Sequence, residues 1–97
     1  MNEIVSYSSL KNIVVLITGG AEGIGASIVE NFLEQGSKVA FLDKNNKLGT
    51  ELVKKLDNYN HKALFKECDL VDIIDLKKKI KEIKKELGPI SILVNNA

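Results

Sequence analysis

Thr18-Gly19-Gly20-Ala21-Glu22-Gly23-Ile24-Gly25 is the stretch whose reading decides the fold. It follows the apolar run Ile13-Val14-Val15-Leu16-Ile17. It opens a segment in which Ile24, Ile28, Val29, Phe32 and Leu33 recur at helical spacing. A buried strand, a glycine-rich turn and a helix start together make a phosphate-binding device. Glycines let the backbone bend tightly and approach a pyrophosphate, and the helix N-terminus offers free N–H groups with a partial positive charge. The spacing here is T-G-x-x-x-G-x-G, not the G-x-G-x-x-G of the most familiar dinucleotide fingerprint, and it sits in the strand–turn–helix context that such a motif requires.

Working outward, residues 1–11 read as a mixed polar leader before the first strand, Asn12–Ile17. The first helix is expected over Gly23–Gln35, with Gly36 as its stop, free to take positive φ. Lys38–Asp43 reads as the second strand and Lys47–Leu56 as the second helix, with Leu48, Leu52, Val53 and Leu56 inward. Lys62–Cys68 is the third strand, and the third helix runs from about Val71 to Leu87, where Gly88-Pro89 ends it. Ile90–Val94 is the fourth strand. Strands alternating with helices imply parallel pairing and right-handed crossovers. Strands one and four read as apolar runs covered on both faces; strands two and three are more mixed.

Ninety-seven residues make one small domain. A net charge of +1 gives no general lean toward nucleic acid or acidic lipid, and the five-residue run Ile13–Ile17 falls far short of the ~20 apolar residues of a membrane span. The N-terminus shows no basic segment followed by an apolar one, so no secretory signal is expected. A single cysteine, Cys68, cannot form an internal disulfide, which fits a reducing, cytoplasmic setting.

Asp43 ends the second strand, twenty residues after Gly23. In a dinucleotide fold that position puts a carboxylate beside the adenosine ribose, accepting from its 2′- and 3′-hydroxyls and repelling a 2′-phosphate. Glu22 adds a second negative charge, and together they favour NAD over NADP; Lys44 offsets part of the repulsion. A solvated strand-end acid is the plain alternative for Asp43.

The chain resembles the short-chain dehydrogenase/reductase family through Thr18-Gly19-x-x-x-Gly23-Ile24-Gly25, Asp43, Asp69-Leu70, Asn95-Asn96-Ala97 and the run Gly88-Pro89-Ile90-Ser91-Ile92-Leu93-Val94, in which Ser91 replaces the usual acid. The likeness covers Leu10 to Ala97. It implies that Gly19, Gly20, Gly23, Ile24 and Gly25 line the adenosine and pyrophosphate path and that Thr18 fixes the turn. Asp69 would accept from the adenine amino group with Leu70 beside the ring; an N-cap of the third helix is the other reading of Asp69. Asn95, Asn96 and Ala97 would lie near the nicotinamide-side ribose, one asparagine bracing the sheet, although a simple turn after a strand is the commoner meaning of Asn-Asn. The resemblance also implies a Rossmann-type doubly wound sheet in strand order 3-2-1-4, incomplete at the strand-four edge, and a homo-oligomeric parent.

The family's serine and Tyr-x-x-x-Lys pair normally follow the Asn-Asn-Ala motif, so no catalytic residue is assigned here. Tyr7 and Lys11 satisfy Y-x-x-x-K but precede strand one, away from the carboxyl ends where parallel sheets bind ligands; Tyr59 has Ala63 four residues on. His61 reads as a surface loop residue and Cys68 as a small packing residue; no second ligand is spaced for a metal. Lys77, Lys78, Lys79, Lys81, Lys84 and Lys85 form the solvated face of a helix whose Ile73, Leu76, Ile80, Ile83 and Leu87 point inward, with no nucleic-acid or membrane partner expected.

The expected protein is therefore the cofactor half of an NAD-dependent oxidoreductase acting on an alcohol or carbonyl. It is expected to be a fragment, because an unpaired apolar fourth strand invites aggregation, and to be inactive alone, because the serine and Tyr-x-x-x-Lys pair that the resemblance calls for after Asn-Asn-Ala are not in it. A non-catalytic dinucleotide-binding module, or a natural truncation without activity, is the alternative. A methyltransferase of related fold is disfavoured by Asn95-Asn96-Ala97 and by the three-residue gap between Gly19 and Gly23.

Overall fold

The computed structural model describes residues 8–96. After a single 3-10 turn at Ser8–Leu10, the chain runs β1 (Val14–Thr18), α1 (Gly23–Glu34), β2 (Lys38–Asp43), α2 (Asn46–Lys55), β3 (Leu64–Glu67), α3 (Ile73–Leu87) and β4 (Ile90–Asn95). All strand pairings are parallel, as the alternation implied, and the order is β3-β2-β1-β4, as the resemblance implied. The sheet is doubly wound. One face packs Val15, Ile17, Val39 and Phe41 against Val29 and Leu33 of α1 and Leu52 of α2, and the other packs Leu16, Ala40 and Leu42 against Ile83 of α3. Phe41 and Phe65 stack across β2 and β3 with ring centroids 5.1 Å apart.

Several boundaries differ from the sequence reading, each for a local reason. β1 starts at Val14 because Asn12 takes φ 64 and gives its N–H to Gly36 O rather than to a sheet ladder. α2 starts one residue early because Asn45 caps it, its side chain accepting from Leu48 N at 3.0 Å. β3 is shorter than expected, Leu64–Glu67, and β2 is fully buried between its two ends rather than mixed. α1 ends at Glu34, and Gly36 at φ 84 follows its C-cap. β4 is not covered on both faces. It is an edge among the described residues, alternately half-buried and exposed, and Leu93 is 62% exposed. Its register against β1 slips between Val14 and Val15, so Val14 lies opposite Ile90 and Val15 opposite Ile92. The end of the leader is held in place, with the buried Ser37 hydroxyl donating to Leu10 O.

Polar ties fasten the helices to the sheet. Lys66 on β3 holds Glu86 at 2.7 Å and Glu82 at 3.3 Å on α3, and the Glu86 bond, then Glu82, keeps its ammonium charged to higher pH. Tyr59 donates to Glu30 Oε2 at 2.8 Å, tying the α2–β3 loop to α1. That bond, helped by burial and the nearby Glu34, pushes the Tyr59 phenol up to about 12. The folded value lies above the ordinary one. The bond therefore contributes fully below about pH 10 and is lost as pH climbs through about 12. Tyr59→Phe is expected to cost about 1 kcal/mol at neutral pH and to remove this alkaline loss. Urea midpoints of both proteins across the alkaline range measure it.

Candidate functional site

β1 delivers Thr18, Gly19 and Gly20 to the carboxyl end of the sheet, where the turn to α1 begins. Gly19 stands at φ 68 and Gly23 at φ 61, a conformation that costs a side-chain-bearing residue ~1–2 kcal/mol. The two glycines flanking them act differently. A Cβ on Gly20 would lie 2.7 Å from Phe41 Cβ, so β2 needs the space. A Cβ on Gly25 would collide with the Gly19 carbonyl oxygen and reach 2.7 Å from Asn96 Nδ2, so α1 passes directly over the turn. At Gly23 a Cβ would meet nothing within 4 Å; the space above it is open.

α1 also starts differently from its neighbours. α2 and α3 carry side-chain caps, from Asn45 to Leu48 N at 3.0 Å and from Asp72 to Asp75 N at 3.1 Å. Glu22, the N-cap of α1, is extended and makes no such bond, and its side chain is exposed. Among the described residues no side chain caps the first-turn N–H groups of α1, which carry the positive end of the helix dipole.

The far side of the turn is tied to β4. Thr18 Oγ1 donates to Asn95 Oδ1 at 3.0 Å and accepts from Asn96 N at 3.0 Å, while Asn96 Nδ2 donates to Gly19 O at 2.9 Å. Asn96 therefore holds the turn from both its backbone and its side chain. Ala97 lies outside the described residues, as does Tyr7.

Between the ends of β2 and β3 an open cleft of about 270 Å³ is bounded by Gly19, Leu42, Asp43 and Lys44 on one side and Cys68, Asp69 and Leu70 on the other. Asp43 is half-buried, with Oδ2 accepting from Ala21 N at 3.2 Å and Oδ1 from Asn45 N at 2.9 Å. Its carboxylate is braced by the glycine turn itself. Gly19 N donates to Leu42 O at 2.8 Å, and Cys68 N to Asp43 O at 3.0 Å, closing the base of the cleft. Asp69 is exposed at the rim, Oδ1 accepting from Val71 N at 3.2 Å. It is not the helix cap: Asp72 is, and α3 starts at Ile73 for that reason rather than at Val71. Ile24, 74% exposed, and Glu22 stand at the α1 end of the site, outside the cleft.

Leu42, Cys68 and the Ala21 amide also adjoin this cleft and were not singled out as part of it from the sequence, whereas Lys44 was, as a charge beside Asp43. The signal was present, since each adjoins a strand end or sits inside the glycine turn. Cys68 is buried, and burial, then Asp75, pushes its thiol up, which suits packing rather than nucleophilic work. His61 lies before β3 and shares a 2.8 Å bond with Asn12 Oδ1, far from the cleft along the strands. Among the described residues no group of three His, Cys, Asp or Glu is placed to hold a metal, and no helix is long and apolar enough to cross a membrane.

The short chain dehydrogenase family model matches residues 13–97. The chain belongs to the short-chain dehydrogenase family. Its resemblance to D-xylose 1-dehydrogenase of Caulobacter vibrioides is 38% identity over 91 residues, 94% of this chain and 35% of the relative. To human 15-hydroxyprostaglandin dehydrogenase, NAD(+), it is 38% identical over 86 residues, 87% of this chain and 32% of the relative. The crystal structure of L-sorbose reductase from Gluconobacter frateurii, complexed with NADPH and L-sorbose, superposes with a TM-score of 0.84 at 25% identity, over 90% of this chain and 34% of that one. The chain thus spans about a third of the length of these curated relatives, 35% and 32%. Its relatives are oxidoreductases. A nicotinamide dinucleotide is common to the second and third of these, while the choice between NAD and NADPH differs between them.

Proposed function

We propose that this chain is the dinucleotide-binding part of an NAD-dependent short-chain dehydrogenase acting on an alcohol or carbonyl compound. The observation that carries the reading is the open space at Gly23 in front of the uncapped start of α1, a cradle that a side chain would fill and a pyrophosphate would suit. The residues present fit the group. Gly19, Gly20, Gly23, Ile24 and Gly25 would carry the pyrophosphate and adenosine path, with N–H groups of the α1 first turn neutralising negative charge. Thr18, Asn95 and Asn96 hold that turn rigid against β4. Asn95 and Asn96, with Ala97, would flank the nicotinamide-side ribose.

Asp43 would accept from the ribose hydroxyls. Its carboxylate is already fixed by Ala21 N and Asn45 N, so its remaining lone pairs are presented in one orientation and would meet a 2′-phosphate with repulsion. Glu22 adds to that repulsion at longer range, and Lys44 at the cleft wall subtracts from it. Asp69 would accept from the adenine amino group, with Leu70 against the ring. Bound NAD supplies the hydride chemistry, and this part of the protein binds and orients it. Substrate recognition and proton transfer belong, in this reading, to the further length that the relatives have, as does assembly into a homo-oligomer. The lone buried thiol of Cys68 suits a reducing, cytoplasmic setting.

A thermal-shift titration of the chain with NADH and, separately, with S-adenosylmethionine tests the class of ligand. NADH is expected to raise the melting temperature, because a ligand that binds only the folded state stabilises it. A shift from S-adenosylmethionine alone would replace this reading with a methyltransferase.

A further inference from the structure

The outer side of α3 combines two features that the overall charge of +1 conceals. Ile74, Lys78, Lys81 and Lys85 follow one another at spacings of four, three and four residues, and Lys77 and Lys84 lie beside that row. All five lysines therefore share one side of the helix. All are exposed, and among the described residues none has a carboxylate within ion-pair distance. The acids of α3 are engaged elsewhere: Glu82 and Glu86 with Lys66 on the inner flank, Asp75 with Lys79, and Asp72 with the Asp75 amide. At the N-terminal end of the same side Ile74 is 85% exposed, and Val71 just before the helix is 82% exposed. A helix that buries Leu76, Ile80 and Ile83 on its inner side has no packing use for Ile74 on its outer one.

We propose that this side of α3 docks on an anionic membrane surface, lysines against the headgroups and Ile74 with Val71 entering the acyl boundary. α3 has 15 residues, about 22 Å at 1.5 Å per residue. It offers spread point charges rather than a concave pocket. All 14 basic residues of the chain are lysine and none is arginine, and the lysine side carries no aromatic residue. Nucleic-acid recognition favours arginine forks and stacking rings, whereas a lipid surface accepts lysine point charges and bare aliphatic side chains together.

Co-sedimentation with phosphatidylcholine vesicles, with and without phosphatidylserine, tests this. Binding is expected only where phosphatidylserine is present, and is expected to vanish in about 1 M salt, where the screening length falls to about 3 Å. Neutralising two lysines in K81Q/K85Q should weaken it about 25-fold, about fivefold for each. Ile74→Ser should weaken it with no change in charge. K54Q/K55Q on the exposed end of α2 changes the net charge equally and should leave binding as it was. All the substituted side chains are exposed, and circular dichroism confirms that each variant is folded. Equal binding to both vesicle types, equal loss in K54Q/K55Q, or no binding at low salt overturns the proposal; so does binding to duplex RNA that vesicles cannot displace.

Discussion

Gly25→Ala is expected to destabilise the chain by about 3 kcal/mol and to abolish dinucleotide binding with it. The added methyl has nowhere to go: it would overlap the Gly19 carbonyl oxygen and press on Asn96 Nδ2 at 2.7 Å. The obstacle is backbone on one side and a side chain already committed to Gly19 O on the other, so no rotamer change relieves it. Relief requires α1 to lift from the turn, which breaks the Asn96–Gly19 bond and loosens Val29 and Leu33 from β1 and β2. Overpacking of this kind costs ~1–3 kcal/mol where neighbours can yield; here the upper end applies. Urea unfolding of both proteins gives the loss. A variant as stable as the parent would mean that α1 does not rest on the turn.

Gly23→Val is expected to fail in a different way. Nothing surrounds a Cβ there, so the stability loss comes only from the backbone at φ 61, about 2 kcal/mol for a side chain forced into that region. The valine methyls would instead occupy the space in front of the α1 N–H groups. NADH affinity should fall about a hundredfold, near 2.7 kcal/mol, beyond what partial unfolding explains once the folded fraction is known. Fluorescence titration at a temperature where both proteins are folded separates the two effects. Loss of stability without loss of affinity would place the ligand elsewhere. The pair of variants divides the turn into a glycine the protein needs and a glycine the ligand needs.

Why the sequence exposed some of this and hid the rest follows from the range of the interactions involved. Element order and the carboxyl-end position of Asp43 were legible because apolar periodicity and the glycine spacing are local. The strand order rested on family resemblance. Helix starts were legible only where the capping residue could be told from its neighbours. Three aspartates, Asp69, Asp72 and Asp75, stand close together, and composition does not say which one accepts from the first-turn amides; the backbone turn made by Asp69 O and Asp72 N selects Asp72. The burial of β2 was understated because Lys38 and Asp43 mark its two ends while the four residues between them are buried. Partners distant in sequence were out of reach altogether. Asp43 with Ala21 N, Thr18 with Asn95 and Asn96, and Tyr59 with Glu30 are separated by 22 to 78 residues. The open face of β4 was likewise hidden, since an apolar strand reads the same whether it is covered or not.

Asp43 is the residue expected to select the cofactor. NADH and NADPH should be titrated into the parent protein and into Asp43→Ala under the same conditions, with binding read by nicotinamide fluorescence. The parent is expected to bind NADH at least about tenfold more tightly, a difference of 1.4 kcal/mol, and Asp43→Ala is expected to lose that preference by weakening NADH and admitting NADPH. Equal binding of both dinucleotides by the parent, or an unchanged preference in Asp43→Ala, would contradict it.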